Sequence, residues 1–432
     1  MVVIKTVKSQ FNILLTFVNM IPFSPPRIDQ RVLDEVNAAL LSGWITTGPR
    51  TKLFEQKISD YCSCKKTVAV NSWTAGMEVM LRWWGIGEGD EVIIPVYTYC
   101  ASANVVIHTG AKPIMVDIGE EDFNISISKI REAITPRTKV IMPVDISGFP
   151  CDYDSIYKLV EEFKGEFIPK NEKQKKLGRI LIAADAAHSF GAIYNNKKSG
   201  ALADVTCFSF HAVKNLTTAE GGTVCFNLPE GFDHEEIYKE FCIKILHGQS
   251  KDALAKTQKG AWRYDVLEPG YKCNMTDIQA AIGLVELERY GDNLTRRKSI
   301  FEAYDNAFNN EKWAITPKYS AKNRETCYHL YLLRIADVSE EQRDAIIQEI
   351  FEQDVAVNVH FQPLPLLTAY KSLGYSIEDY PVAYLKYASE ISLPVYFNLS
   401  DEQVSMVIAA VKNAIKKVLG NAEKEFQSIH SN

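Results

Sequence analysis

Long apolar runs are missing from this chain. No stretch approaches the ~20 residues that a helix needs to cross a bilayer, so no membrane span is expected. Blocks of one charge are also missing. The net charge over 432 residues is −6 with no long basic run, which argues against nucleic acid as a partner. The most basic stretch, Lys170–Arg179, includes Glu172 and no aromatic residue, and reads as a solvated insertion. There is no internal repeat.

Metal-ligand spacing is absent too. The nine cysteines are scattered and odd in number, and none form a Cys-x-x-Cys pair. Cys62-Ser-Cys64 is too short for the common zinc spacing, and no His-x-x-x-His occurs, so no metal is assigned. Cys100, Cys207 and Cys225 lie in apolar, strand-like runs where a thiol acts as a small hydrophobe. Reduced, buried thiols point to a cytoplasmic protein. Residues 1–20 loosely imitate a signal peptide, with Lys5 and Lys8 ahead of a short apolar run. Asn12, Thr16 and Asn19 break that run and no Ala-x-Ala site follows, so the segment reads as an extension ahead of a start at Met20.

What is present is an alternation of short apolar strands and helical patterns. Strands are expected at 67–71, 91–95, 113–117, 139–144, 180–185, 205–210 and 222–227, with helices at 29–41, about 72–84, from 97, 126–134 and 154–163. This predicts βαβ units and an α/β fold with a mostly parallel sheet flanked by helices. After about Tyr290 the pattern changes to helices at 293–310, 339–352 and 401–418 around strands at 330–335 and 355–360. The expected division is a large domain, 21–290, a smaller α+β C-terminal domain, 291–418, and a polar tail, 419–432.

Ligands of parallel sheets sit beyond the strand C-terminal ends. Asn71/Thr74, Tyr97/Tyr99 and Asp185/His188 follow strand ends and should converge with Lys214. Pyridoxal phosphate (PLP) requires two of these groups. It takes a Lys amine as a Schiff base and needs a carboxylate against its pyridine nitrogen. Lys214, in Phe208-Ser-Phe-His-Ala-Val-Lys-Asn215, and Asp185, ending Ile180-Leu-Ile-Ala-Ala-Asp185, supply that pair. The bland alternative makes Asp185 a helix N-cap and Lys214 a surface charge. Thr74, Ala75 and Gly76 begin a helix, so they form either a phosphate site with Ser209 nearby or a plain cap. Tyr99 can stack on a flat ring or pack in the core. His188 can stack or hold Asp185. Lys272 and Asn274, in a tight loop before a helix capped by Thr276 or Asn274, suit an anion or a subunit contact. Arg263, His329 and His360 are weaker substrate-side candidates.

In order, Gly43-Trp-Ile-Thr-Thr-Gly-Pro49, Thr74-Ala-Gly76, Gly89-Asp-Glu-Val-Ile93, Ile134-Thr-Pro-Arg-Thr-Lys139, Asp185-Ala-Ala-His188, Ser209-Phe-His-Ala-Val-Lys-Asn215, Ala219-Glu-Gly-Gly222 and Gly270-Tyr-Lys-Cys-Asn-Met-Thr-Asp-Ile278 resemble the PLP-dependent nucleotide-sugar aminotransferases of the DegT family, over residues 21 to 418. The Lys-containing and Pro-Gly-Tyr-Lys-Cys-Asn segments are most similar to the branch that makes UDP-4-amino-4-deoxy-L-arabinose. Departures are Tyr99 where that branch has Trp, a helix–strand connection lengthened by 165–179, and a generic family form from His360 onward. The resemblance implies aminotransferase fold type I with a seven-stranded sheet. It implies PLP held by Lys214, with Asp185 on the ring nitrogen. Thr74, Ala75 and Ser209 would hold the phosphate, with Tyr99 and His188 on the ring faces. It also implies a homodimer with shared active sites, in which Lys272 and Asn274 of each chain complete the neighbour's site. The implied reaction moves the amine of L-glutamate onto a keto sugar nucleotide, giving 2-oxoglutarate, for surface polysaccharide or glycan biosynthesis. Two rivals stand beside it. A PLP-dependent sugar dehydratase of the family carries His in place of Lys214. A non-catalytic regulatory protein on this fold should have lost Lys214 or Asp185.

Overall fold

A computed structural model of the chain describes residues 20–251 and 263–430, with side chains to residue 420. Residues 1–19 of the expected extension lie outside the described residues. Runs of Val, Ile and Ala form the seven strands of the main sheet: β1 Lys66–Val70, β2 Glu91–Pro95, β3 Lys112–Val116, β4 Thr138–Ile141, β5 Leu181–Asp185, β6 Val205–Ser209 and β7 Gly222–Phe226. Their order is β1-β7-β6-β5-β4-β2-β3. Only β7 runs against the rest, pairing antiparallel with β1 and β6, as expected of two strands joined without a helix. The central strands bury side chains on both faces, hence their unbroken apolar runs.

A second apolar cluster joins Ile21 to residues from Ile300 to Ile415, around an antiparallel sheet of Ala314–Ile315, Tyr331–Ile335 and Glu390–Leu393. The expected strand at 355–360 does not form. Val355 bridges Ile21, and Asn358 pairs with Ser392 on the free edge of Glu390–Leu393, but the ladder goes no further: His360 N donates to the Glu390 side chain, and Glu390 O accepts from Arg343. The last helix runs Asp401–His430, beyond the expected end at 418. Cys207 and Cys225 are buried in strands, but Cys100 opens the helix Cys100–His108.

The 165–179 insertion is not simply solvated. Asn171 Nδ2 and the fully buried Gln174 Nε2 donate to Trp84 O at 2.9 and 3.0 Å, satisfying a carbonyl at the end of the helix Trp73–Trp83. Arg179 forms a buried fork on Asp204 at 2.7 and 2.8 Å.

One carboxylate ties the site's periphery together. Asp277 is fully buried and accepts from Gly48 N, Arg50 N, Thr51 N and Thr51 Oγ1 at 2.7 to 3.0 Å. It thereby fixes the start of the helix Pro49–Cys62 against the helix Asp277–Glu288, whose cap is Thr276 with Gln279 in a capping box. Asp277→Ala leaves buried donors unpaired and should cost about 3 kcal/mol or more. A fall in urea midpoint at constant m-value checks this; an unchanged midpoint contradicts it.

Candidate active site

The ends of β1, β2, β4, β5 and β6, the loop between β6 and β7, and three segments at 23–24, 329–330 and 360–361 enclose a cavity of about 340 Å³. β5 delivers Asp185, whose backbone is locked by Asp185 N to Pro143 O at 2.8 Å and Asp145 N to Asp185 O at 3.1 Å. Its carboxylate is buried and accepts from Ser102 Oγ at 2.7 Å and Ala187 N at 3.2 Å. Ser102 lies on the first turn of the helix after β2 and is itself held by Thr98 Oγ1 at 2.8 Å. Burial pushes the Asp185 carboxyl up to about 6, against the opposing pull of Ser102, Ala187 and the Lys214 ammonium.

Lys214 lies in the loop between β6 and β7. That loop closes on itself through Phe210 N to Gly221 O, Thr218 N to Phe210 O and Lys214 N to His211 O, each at 2.9 Å. Ala219 takes φ +68°, the left-handed region that reverses the chain. Asn215 anchors the loop to the segment leading into the strand Tyr331–Ile335: its Nδ2 donates to Cys327 O at 2.8 Å, and its Oδ1 lies 2.8 Å from His329 Nδ1. Burial brings the Lys214 amine down to about 8, although Asp185 pulls the other way.

Of the residues singled out in the sequence, Thr74, Tyr99, Asp185, His188, Ser209, Lys214, His329 and His360 line this cavity. His188 stacks on Phe361 with ring centroids 5.5 Å apart, and its buried Nδ1 has no partner among the described residues. Tyr99 is 60% exposed at the rim, so it is not the core residue its alternative reading made it. The helix Trp73–Trp83 is capped by Ser72, whose Oγ accepts from Ala75 N at 3.1 Å. Ala75 does not line the cavity, and its amide is engaged by the cap. Lys272 and Asn274 also stand apart. They bond to each other, and Asn274 Nδ2 donates to Thr47 Oγ1. Arg263 is exposed and does not line the cavity.

Sequence reading missed Ser102, Phe361, Phe23 and Ser24. Ser102 carries a signal: it lies on the first helical turn after a strand end. Phe23 and Ser24 carry none, because only the fold brings this segment over the Lys214 loop, where Ser24 Oγ donates to Val213 O at 3.1 Å.

The donor set fits PLP. A buried carboxylate, an amine tuned toward neutrality, an unpartnered imidazole nitrogen and a flat aromatic wall share one cavity with a helix start. Residues 26–412 match the DegT/DnrJ/EryC1/StrS aminotransferase family, and the chain belongs to it. It is 36% identical over 404 residues to the spore coat polysaccharide biosynthesis protein SpsC of Bacillus subtilis, covering 92% of this chain and 98% of that one. Spr1654 of Streptococcus pneumoniae, assigned as a sugar aminotransferase and solved in its PMP form, superposes with a TM-score of 0.90 at 48% identity, covering 92% and 100%. Its PLP form matches at 46% identity with a TM-score of 0.89, covering 92% and 99%. Helicobacter pylori PseC, an aminotransferase involved in pseudoaminic acid biosynthesis, matches at 25% identity with a TM-score of 0.79, covering 92% and 100%. The fold is that of PLP-dependent aminotransferases, and the chain is a PLP-dependent sugar aminotransferase.

Because the Asp185 pKa is raised on folding, the cofactor-free folded state keeps a proton that the unfolded chain releases above about 4. The contribution of Asp185 to stability thus falls as pH rises from about 4 through about 6. Relative to Asp185→Asn, cofactor-free wild type should lose on the order of 3 kcal/mol across that window, at 1.36 kcal/mol per pKa unit. Urea melts of both proteins across the window check this; parallel stability curves contradict it.

Proposed function

We propose that this enzyme moves the amino group of L-glutamate onto a keto sugar nucleotide, with a 4-keto sugar as acceptor and 2-oxoglutarate as co-product, for a surface polysaccharide or glycan. The observation that carries the reading is Asp185 and Lys214 in one cavity, the carboxylate buried and held by Ser102 and Ala187 at the end of β5.

PLP, when bound, supplies an electron sink for the carbanion of transamination. The chain does the rest. Asp185 would hold the ring nitrogen and keep it protonated. Lys214 would hold the cofactor covalently and, once displaced by the incoming amine, move the proton between carbon and nitrogen. An amine brought down to about 8 is roughly a tenth free base at neutral pH, far more than an ordinary lysine, which favours both tasks. Thr74 and Ser209 would take the phosphate with Ala75's turn, while Tyr99 and His188 flank the ring. His329, with Nδ1 engaged by Asn215, and His360 would face the substrate, whereas Arg263 lies outside the cavity and would need to move to reach it. Lys214 argues against the dehydratase branch, and retention of both Lys214 and Asp185 argues against a non-catalytic relic.

The same reading takes the enzyme as a cytoplasmic homodimer with shared sites, divided near residue 290. Leu33, Leu40, Leu41, Ile45 and Leu53 are exposed around the 44–48 loop that carries Asn274's partner Thr47, and Leu41 is 80% exposed. A second copy covering this face would bury apolar area and carry each Lys272–Asn274 loop to its neighbour's cavity.

Lys214→Ala should fold normally and lose glutamate-dependent amination across a panel of 3-keto and 4-keto nucleotide sugars; turnover near wild type would sink the assignment. Mixing Lys214→Ala subunits with subunits altered at both Lys272 and Asn274 should restore part of the activity, since one site of each heterodimer then carries neither lesion. No recovery after verified subunit exchange overturns the shared site.

A further inference from the structure

His360 lines the cavity, yet one side of its ring faces a buried chain of polar groups running away from it. His360 Nδ1 is 2.9 Å from Ser392 Oγ, and Ser392 Oγ is 2.6 Å from Glu390 Oε1. Glu390 and Ser392 are fully buried in the small sheet, two residues apart on one face of a strand. The second carboxyl oxygen, Oε2, accepts from His360 N at 3.0 Å. The ring itself is clamped, stacked on Phe23 at 5.4 Å between centroids and met edge-on by Phe361 at 5.2 Å. With Nδ1 committed to Ser392, Nε2 is the nitrogen left for the cavity.

A hydroxyl has one proton, so the chain has two consistent states. With Glu390 ionised, Ser392 donates to the carboxylate and accepts from His360 Nδ1–H, which leaves Nε2 a bare acceptor. With Glu390 protonated, its O–H donates to Ser392, Ser392 donates to Nδ1, and Nε2 carries the proton. The imidazole is neutral in both states. We propose that Glu390, acting through Ser392, sets whether His360 Nε2 donates or accepts a hydrogen bond in the cavity, making Glu390 and Ser392 positioning residues for the sugar. A keto oxygen can only accept, so the Nε2–H state suits the acceptor sugar. The bare nitrogen suits the ammonium of the aminated product. That use of the relay rests on the aminotransferase reading above; the relay itself does not.

The surroundings let the proton sit where this requires. Burial pushes the Glu390 carboxyl up to about 8, opposed by Ser392, the His360 amide and the Arg343 guanidinium. Burial, the larger cause, and the Lys214 ammonium hold the His360 imidazole down at about 3. With Lys214 tied to the cofactor in the holoenzyme, burial is what keeps the ring neutral across the window. The other groups facing the pair are Tyr97, whose hydroxyl donates to His360 O at 2.7 Å, Arg334, the cross-strand partner of Glu390, and the neutral His188 and His329. Tyr97 is itself held above its ordinary range, chiefly by burial, so it does not titrate in the same window.

The test is the tautomer of His360 in holoenzyme labelled with 15N-histidine, assigned by its loss in His360→Gln. The ring-nitrogen shifts should pass from the Nε2–H pattern near pH 6 to the Nδ1–H pattern near pH 9.5, through a single transition. In Glu390→Gln, whose amide donates to Ser392 at every pH, the Nε2–H pattern should persist throughout. In Ser392→Ala the two tautomers should mix without a transition. An unchanging wild-type tautomer over this range, or a transition that survives in Glu390→Gln, overturns the proposal. Neither readout depends on sugar turnover, so a failed substrate assignment leaves this result standing on its own.

Discussion

Burying the Asp185 carboxylate at the end of β5 is the constraint from which the site follows. A carboxylate taken out of water is costly unless it is hydrogen-bonded and paired. One bond comes from the chain just after β5, at Ala187 N, and the other from β2, two places away across β4, whose following helix brings Ser102 to the carboxylate at 2.7 Å. The charge partner must come from elsewhere. Lys214 arrives on a closed loop after β6, the strand next to β5, and its ammonium offsets only part of the desolvation, which leaves Asp185 at about 6. The cofactor's pyridine nitrogen is the partner whose protonation this carboxylate would hold.

The C-terminal part of the chain enters the active site through the same loop. Asn215, the residue after Lys214, bonds to Cys327 and His329, while Phe23 and Ser24 close over the loop from the start of the described chain. Lys214 is therefore set by contacts on both sides of the cavity. The small sheet adds its own polar chain through Glu390, Ser392 and His360.

Much of this was legible in the sequence, for identifiable reasons. The seven strands carry period and punctuation that survive tertiary context, and β4 ends at Ile141, just ahead of Pro143, which has no N–H to give a ladder. Asp185 and Lys214 were legible because one cofactor requires both groups beside strand ends. The segment at 355–360 looked like a strand because Val355, Val357 and Val359 alternate, but alternation cannot show that the His360 amide goes to the Glu390 side chain and the Glu390 carbonyl to Arg343, which stops the ladder after Asn358. Residues Lys170–Arg179 looked solvated because their charges dominate; the burial of Gln174 and Arg179 depends on a distant carbonyl and a distant carboxylate. The Glu390–Ser392–His360 chain was illegible for the same reason, since 390 and 360 meet only once the small sheet forms.

The central claim is that Lys214 is the residue that holds the cofactor. Reducing the holoenzyme with borohydride fixes the cofactor to the amine that carries it, and peptide mass spectrometry then locates the adduct. The account predicts a phosphopyridoxyl mass on Lys214 alone, absent when L-glutamate is added before reduction. An adduct on another lysine, or one that glutamate does not displace, would contradict it.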